Sequence, residues 1–508
     1  MRFPPAPAPF TDRITCVGTL CVDEHSTGPL DILIDVSPTA AHGIRGWVLG
    51  NKAVADAIEK EQGRHRGALR LAADTGPETL SSESVWIRGT QSFGADREAM
   101  PHGLHGIACA FDCLDLTRRF AHKGETPIPR EVRFLLRGPR VRGLVGWMHE
   151  SSFEGSNKVK VLGGGRLATG GDLPFAMFVL AHFLHDCAGS RRDDEDERGR
   201  GEAQPTSETH VLAMACRTRK TADEYSDEKF LADARQAVED MCLLLSFLAG
   251  GMITWHAYSQ WGPGISVRHN RSLGGTPDVG RSVELVNSWE LRDFSRLAFR
   301  RLRRLRANGI DLEMPLVSAI AGAQAGIARQ RFGEFFLALE ALHSLHLESG
   351  GRTFLLEKAV FKKVQSAMRA SLTGALRAQG LRSLAVRAQM ANKLNELNRP
   401  PLWDGLQALM KRLRVDWDDL YAAPAPERPT FLKLRNRLFH SHGRAADEEV
   451  YKESIRVEAV VHRILLRWLG WEDLWNAPSP EVRHFVSGKG LPDRHRLGGR
   501  PRGRRKRR

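Results

Sequence analysis

The sequence predicts a multidomain α+β protein, with a β-rich N-terminal region followed by an all-α helical bundle. Two observations carry this. Short apolar runs bounded by Gly, Pro, Ser or Asp recur through the first 170 or so residues, the pattern of strands punctuated by turns. From about 286 to 474 the apolar residues instead recur every three to four positions, the period of a helix with one buried face.

The strand-like runs are LDILIDV (30–36), GWVLG (46–50), ALRLAAD (68–74), ESVWIRG (83–89), EVRFLLRG (131–138) and GLVGWMHE (143–150). Their spacing suits a sandwich or barrel-like module. The apolar stretch LPFAMFVLAHFLHDCAG (173–189) is expected to be a buried helix, being too short and too polar to span a bilayer. The N-terminal region, 1–188, ends there. Residues 189–208 contain SRRDDEDERGRG and have no apolar periodicity, which predicts a charged linker. Residues 209–310 are read as a connecting segment. Within it Phe230, Ala234, Val238, Met241, Leu245 and Leu248 mark a helix over 227–251 that stops at Gly250-Gly251. MITWHAY and GISVRH follow as short strands.

Candidate helices then fall at 286–307, 314–328, 330–347, 353–373, 382–398, 402–414, 428–441 and 447–469. Those from 311 to 475 make up the helical domain. Residues 476–508 are expected to be a disordered basic tail. Of the net charge of +15, Arg483 to Arg508 carry eleven Arg or Lys against Asp493 alone, or 11 − 1 = +10, leaving +5 for the rest. An unfolded arm of that charge suits a polyanion, and Arg500, Arg502, Arg504, Arg505 and Lys506 are its candidate RNA contacts. Solubilising the chain is the alternative role.

Several classes are set aside. No run of about 18 apolar residues predicts a membrane span. MRFPPAPAPFTDR lacks the apolar core of a secretory signal. Seven scattered cysteines form no disulfide framework and suit a reducing, cytoplasmic setting. His102, His105, Cys109 and Cys113 are close enough to suggest zinc, but the spacing matches no ribbon or finger and HGIACAFDCLDL reads as a strand. No metal or cofactor is therefore expected. Gly163-Gly164-Gly165-Arg166 reads as a turn, since no phosphate-loop Lys-Ser or Lys-Thr follows. The stripe Leu291, Phe294, Ala298, Leu302, Leu305 makes 291–309 amphipathic, with Arg296, Arg300, Arg303 and Arg304 on a solvated face or along an RNA backbone.

One segment carries chemistry. An Arg followed five positions later by His occurs at Arg97/His102, Arg435/His440 and Arg437/His442. Only Arg435/His440 follows a Pro-rich break and lies in a helical run with a polar residue, Asn436, after the Arg. Leu434 and Leu438 are four apart and share one face; Asn436 and His440 share another. A near-neutral His can serve as acid or base. Arg can hold two phosphate oxygens in a fixed fork, and Asn can orient either group without adding charge.

The run RNRLFH resembles the Arg–polar–x3–His motif of HEPN ribonucleases. RFGEFFLALEALHSLHL (331–347) looks like the helix that precedes the catalytic one in large HEPN domains, and VYKESIRVEAVVHRILLRWLGW (450–471) like their last helix. The layout is similar to ApeA-like abortive-infection proteins. The resemblance implies an all-α HEPN-type bundle and a metal-independent endoribonuclease with Arg435, Asn436 and His440 at its site, His442 and Glu340 being accessory candidates. It further implies a homodimer or higher even oligomer, RNA as substrate, and a toxin regulated by a phage or cellular trigger. A non-catalytic RNA-binding or protein-interaction HEPN protein is the alternative, with Arg435 a surface ion-pair partner and His440 packed at a helix end.

Overall fold

A computed structural model of the chain describes residues 12–22, 25–36, 44–50, 69–74, 78–93, 106–113, 115–121, 130–138, 159–168, 174–185, 208–218, 220, 224–262, 265–271, 285–287, 290–350, 354–380, 383–398, 400–422, 426–439, 445–474 and 476–488. The chain forms two units, Met1–Gly280 with Ser288–Arg296, and Arg281–Asn287 with Leu297–Arg508. Among the described residues the first is mostly strands with the helix Asp227–Ala249, and the second is helical.

The first unit contains β1 (Asp12–Val22), β2 (His25–Val36), β3 (Ile44–Gly50), β4 (Leu69–Asp74), β5 (Glu78–Phe93), β6 (Gly106–Cys113), β7 (Asp115–Ala121), β8 (Arg130–Arg137), β9 (Val159–Ala168), β10 (Ala176–His185), β11 (Glu208–Thr218), β12 (Thr254–Gly262) and β13 (Ile265–Arg271). They hydrogen-bond in the order β4-β1-β2-β3-β6-β5-β7-β13-β12-β8-β11-β10-β9, and β4 also pairs with β5. Helix α1 (Asp227–Ala249) lies against β8 and β12. All six of its predicted apolar positions are buried. Ser226 caps its N-terminus by accepting from the Lys229 amide, and Gly250 ends it in the left-handed conformation (φ 61°) that glycine takes without a Cβ clash. Phe134, Trp255 and Tyr258 pack edge-on or tilted in this core.

Two expectations are corrected here. The stretch 173–189 is not a helix. Its centre is strand β10, paired with β9 on one side and β11 on the other. An apolar run of about ten residues fits a strand or a buried helix, and periodicity over that length does not separate the two. The glycines at 163–165 lie within strand β9 and do not form a turn; pairing with β10 shifts register beside them. In addition, β11–β13, placed by sequence in a connecting segment, complete the same sheet through β8 and β7. Residues 143–150 and most of the 189–208 linker lie outside the described residues.

Helix α2 (Leu291–Ala307) is followed in the second unit by α3 (Glu313–Gln324), α4 (Ala328–Ser349), α5 (Lys358–Ala378), α6 (Leu384–Glu396), α7 (Leu402–Leu413), a 3-10 turn (Asp418–Leu420), α8 (Thr430–Phe439), α9 (Asp447–Trp468) and α10 (Pro480–Ser487). Helix α4 is the hub, packing on α3, α7 and α9. Its approach to α3 depends on Gly322, where a Cβ would come within 2.9 Å of the Phe335 ring. The core gathers Leu316, Phe332, Phe335, Leu339, Leu406, Val461 and Ile464, each at most 1% exposed.

The tail also departs from expectation. Residues 480–487 form α10, capped by Ser479 and ended at Gly488 (φ 66°). Arg456 donates to the Val486 carbonyl, and the Arg483 Nε lies 3.3 Å from Asp419. The segment therefore belongs to the fold; Val482, Phe485 and Val486 give it the apolar side that its Gly- and Pro-rich surroundings concealed in the sequence.

Candidate active site on α8

Helix α8 is short, and three tethers hold it. Phe431 and Leu434 are buried. Thr430 at its start donates to Glu453 of α9, and Arg437 pairs with Glu449 of the same helix. Near its end Phe439 lies parallel to Phe332 of α4, ring centroids 6.5 Å apart.

Arg435 projects from this scaffold towards α4. Its Nη2 donates to Glu340 Oε1 at 2.9 Å and its Nη1 to Asn436 Oδ1 at 3.3 Å. The guanidinium also lies 5.6 Å from the centroid of the Phe336 ring, within cation–π range. Three candidates chosen from sequence, Arg435, Asn436 and Glu340, thus meet in one place. Arg435 and Glu340 are partly exposed, at 29% and 37%, so the pair is open to solvent and contributes at most about 1 kcal/mol. What it does is fix the guanidinium over Phe336. His440 follows α8 directly, but His440 and His442 lie outside the described residues. So do Arg500, Arg502, Arg504, Arg505 and Lys506, and His102 and His105; Cys109 and Cys113 fall on β6.

Sequence reasoning missed several polar groups of this unit. His343 stands one helical turn beyond Glu340 on α4, its Nε2 buried over Gly405 of α7 without a hydrogen-bond partner among the described residues. Burial pushes its pKa down, while the Glu340 carboxylate opposes the shift. Deeper, Arg331 of α4 pairs with Glu458 of α9, both under 9% exposed, beside His462. Burial, reinforced by the Arg331 charge, pushes the His462 pKa down to about 3, so the imidazole is neutral at pH 7. Under α10, Arg463 grips Asp419 with two hydrogen bonds of 2.7 and 2.8 Å. Asp419 is held below the usual carboxylate range, because burial, which acts to raise it, is outweighed by Arg463 and Arg483. One of these has a signal in the sequence: Glu458 and His462 are four apart and share a helix face.

Among the described residues no group of three or more His, Cys, Asp or Glu side chains is arranged to hold a metal ion, and no helix is long and apolar enough to cross a membrane. No family model, curated protein or solved structure matches the chain significantly.

Proposed function

We propose that the second unit is a HEPN-type endoribonuclease that cuts RNA without a metal ion, with Arg435, Asn436 and His440 as its active-site residues. The supporting observation is the meeting of Arg435, Asn436 and Glu340 on two tethered helices, immediately before His440. In this reading the RNA 2′-hydroxyl attacks the adjacent phosphorus and the bond to the 5′-oxygen breaks. A His takes the hydroxyl proton and a second acid protonates the leaving oxygen. Arg435 stabilises the charge that gathers on the phosphoryl oxygens, and Glu340 holds its fork in position until phosphate competes for it. One His supplies only one of the two proton transfers, so two copies of the motif in one cleft complete the site. The active form is then a homodimer or higher even oligomer. A cytoplasmic toxin released by a phage or cellular trigger is the setting that the sequence resemblance implies.

The test is RNA cleavage in the presence of chelator. His440→Ala and Arg435→Ala abolish it with the fold intact, His442→Ala retains most of it, and products end in 2′,3′-cyclic phosphate or 3′-phosphate. Wild-type rates from His440→Ala remove the assignment. Residues 489–508, with ten Arg or Lys against Asp493, serve as a salt-sensitive RNA tether in this reading. Truncation after Gly488 then weakens RNA binding at low salt. A cut after Pro480 would also remove Arg483 from Asp419.

The Arg435–Glu340 pair equally favours a second reading, a non-catalytic HEPN protein in which Arg435 is a structural ion-pair partner. There the wild type cuts no RNA, and Arg435→Ala changes only stability.

A further inference from the structure

Ten of the nineteen exposed large apolar side chains among the described residues lie within residues 354–397. They are Phe354, Leu355 and Leu356 ahead of α5, Val360, Val364 and Met368 on it, and Leu384, Val386, Met390 and Leu397 on or beside α6. On α5 the spacing is four and four, one stripe of a helix. On α6 Val386 and Met390 are again four apart. Helix α5 buries only Leu376, although it has 21 residues. Ten such side chains in so short a segment, three of them in one stripe on α5, are not the singly scattered apolar residues of an ordinary surface.

The patch is not loose chain. The backbone ahead of α5 is clamped by the buried Asn398. The Leu355 amide donates to its carbonyl at 2.8 Å and the Leu356 amide to its Oδ1 at 2.8 Å, while its Nδ2 donates to the Leu356 carbonyl at 3.0 Å. The main chain is satisfied, yet Phe354 and Leu355 turn more than half of their surface to solvent.

Charge identifies what the patch faces. Residues 352–399 carry ten Arg or Lys and two Glu, 10 − 2 = +8. Together with the +10 of 483–508, this leaves 15 − 8 − 10 = −3 for the remainder. Helix α5 has no acid at all, and its Lys358, Lys362, Lys363, Arg369 and Arg377 are exposed. Such a charge opposes pairing with a second copy of itself. It attracts a polyanion, but nucleic-acid phosphates leave the apolar stripe unused. An anionic bilayer surface uses both: apolar side chains enter the acyl boundary while lysine and arginine reach the headgroups.

We propose that the α5–α6 hairpin, led by Phe354-Leu355-Leu356, is a peripheral docking surface for anionic lipid membranes. Lying in the plane is a different matter from crossing it, and α5 is too polar to cross.

Co-flotation of the full chain with vesicles tests this. Wild type floats with vesicles of about one-third phosphatidylglycerol in phosphatidylcholine and at least about fivefold less with phosphatidylcholine alone. Leu355→Ser/Val364→Ser/Met368→Ser keeps every charge, tail included, so a purely electrostatic association is untouched. Its bound fraction is expected to fall at least about fivefold with Tm unchanged. Lys362→Gln/Lys363→Gln/Arg369→Gln, which spares the apolar stripe, gives a comparable fall and decides the matter if the serine variant misfolds. The proposal is overturned if wild type stays in the pellet, or if both variants float like wild type. It is also overturned if the serine substitutions abolish self-association or RNA binding and leave flotation intact.

Discussion

Helices α5 and α9 are nearly equal in length, 21 and 22 residues, and both are amphipathic, yet α9 buries fifteen residues and α5 one. The difference lies in what surrounds them. Helix α9 packs along α4 and touches α3, α7, α8 and α10, so even Glu453, Glu458, His462 and Arg463 are enclosed. Helix α5 packs chiefly on α6. An amphipathic sequence specifies that a helix has an apolar face; neighbours decide whether that face is covered, and by what. The same contrast predicts where substitutions cost stability and where they change only a surface.

The largest effect is expected from Glu458→Ala, which leaves the Arg331 charge buried without its carboxylate. A loss of about 3–5 kcal/mol in urea unfolding is expected. Arg331→Met/Glu458→Leu should recover most of it; failure to recover would mean that the pair also orients His462. Next, Ile464→Ala in α9, fully buried, costs about 2–5 kcal/mol, against less than about 0.5 for Val364→Ala in α5. Equal costs would break the comparison and show that α5 is covered in solution.

Gly405→Ala is expected to cost about 1–3 kcal/mol, because its Cβ would meet His343 Nε2 at 2.2 Å. Adding His343→Ala should restore much of that by making room. The last effect is one of pH. His462 titrates near 3 when folded and near 6.5 when unfolded, so between those values the unfolded chain binds the extra proton. Its contribution is complete above about 6.5 and is lost as pH falls, at up to about 1.4 kcal/mol per pH unit. His462→Gln should flatten stability against pH between 4 and 6; an unchanged slope would show that other groups dominate it.

The sequence by itself determined the division into strands and helices over residues 224–474, because helical periodicity and glycine stops are local signals. Each helix from α2 to α9 falls within or close to its expected span. It also singled out Arg435 and Asn436, and nominated Glu340, from residue type and spacing. Tertiary structure decided the rest. Whether 173–189 was strand or helix depended on β9 and β11 lying on either side. Residues 480–487 became a helix because Asp419, Arg456 and α9 were there to receive it. Glu340 met Arg435 across 95 positions, and Arg331 met Glu458 across 127, separations that no local pattern encodes. That α5 and α9, alike in length and amphipathicity, end in opposite environments has the same cause: burial is a property of the neighbours, and the chain names its neighbours only by folding.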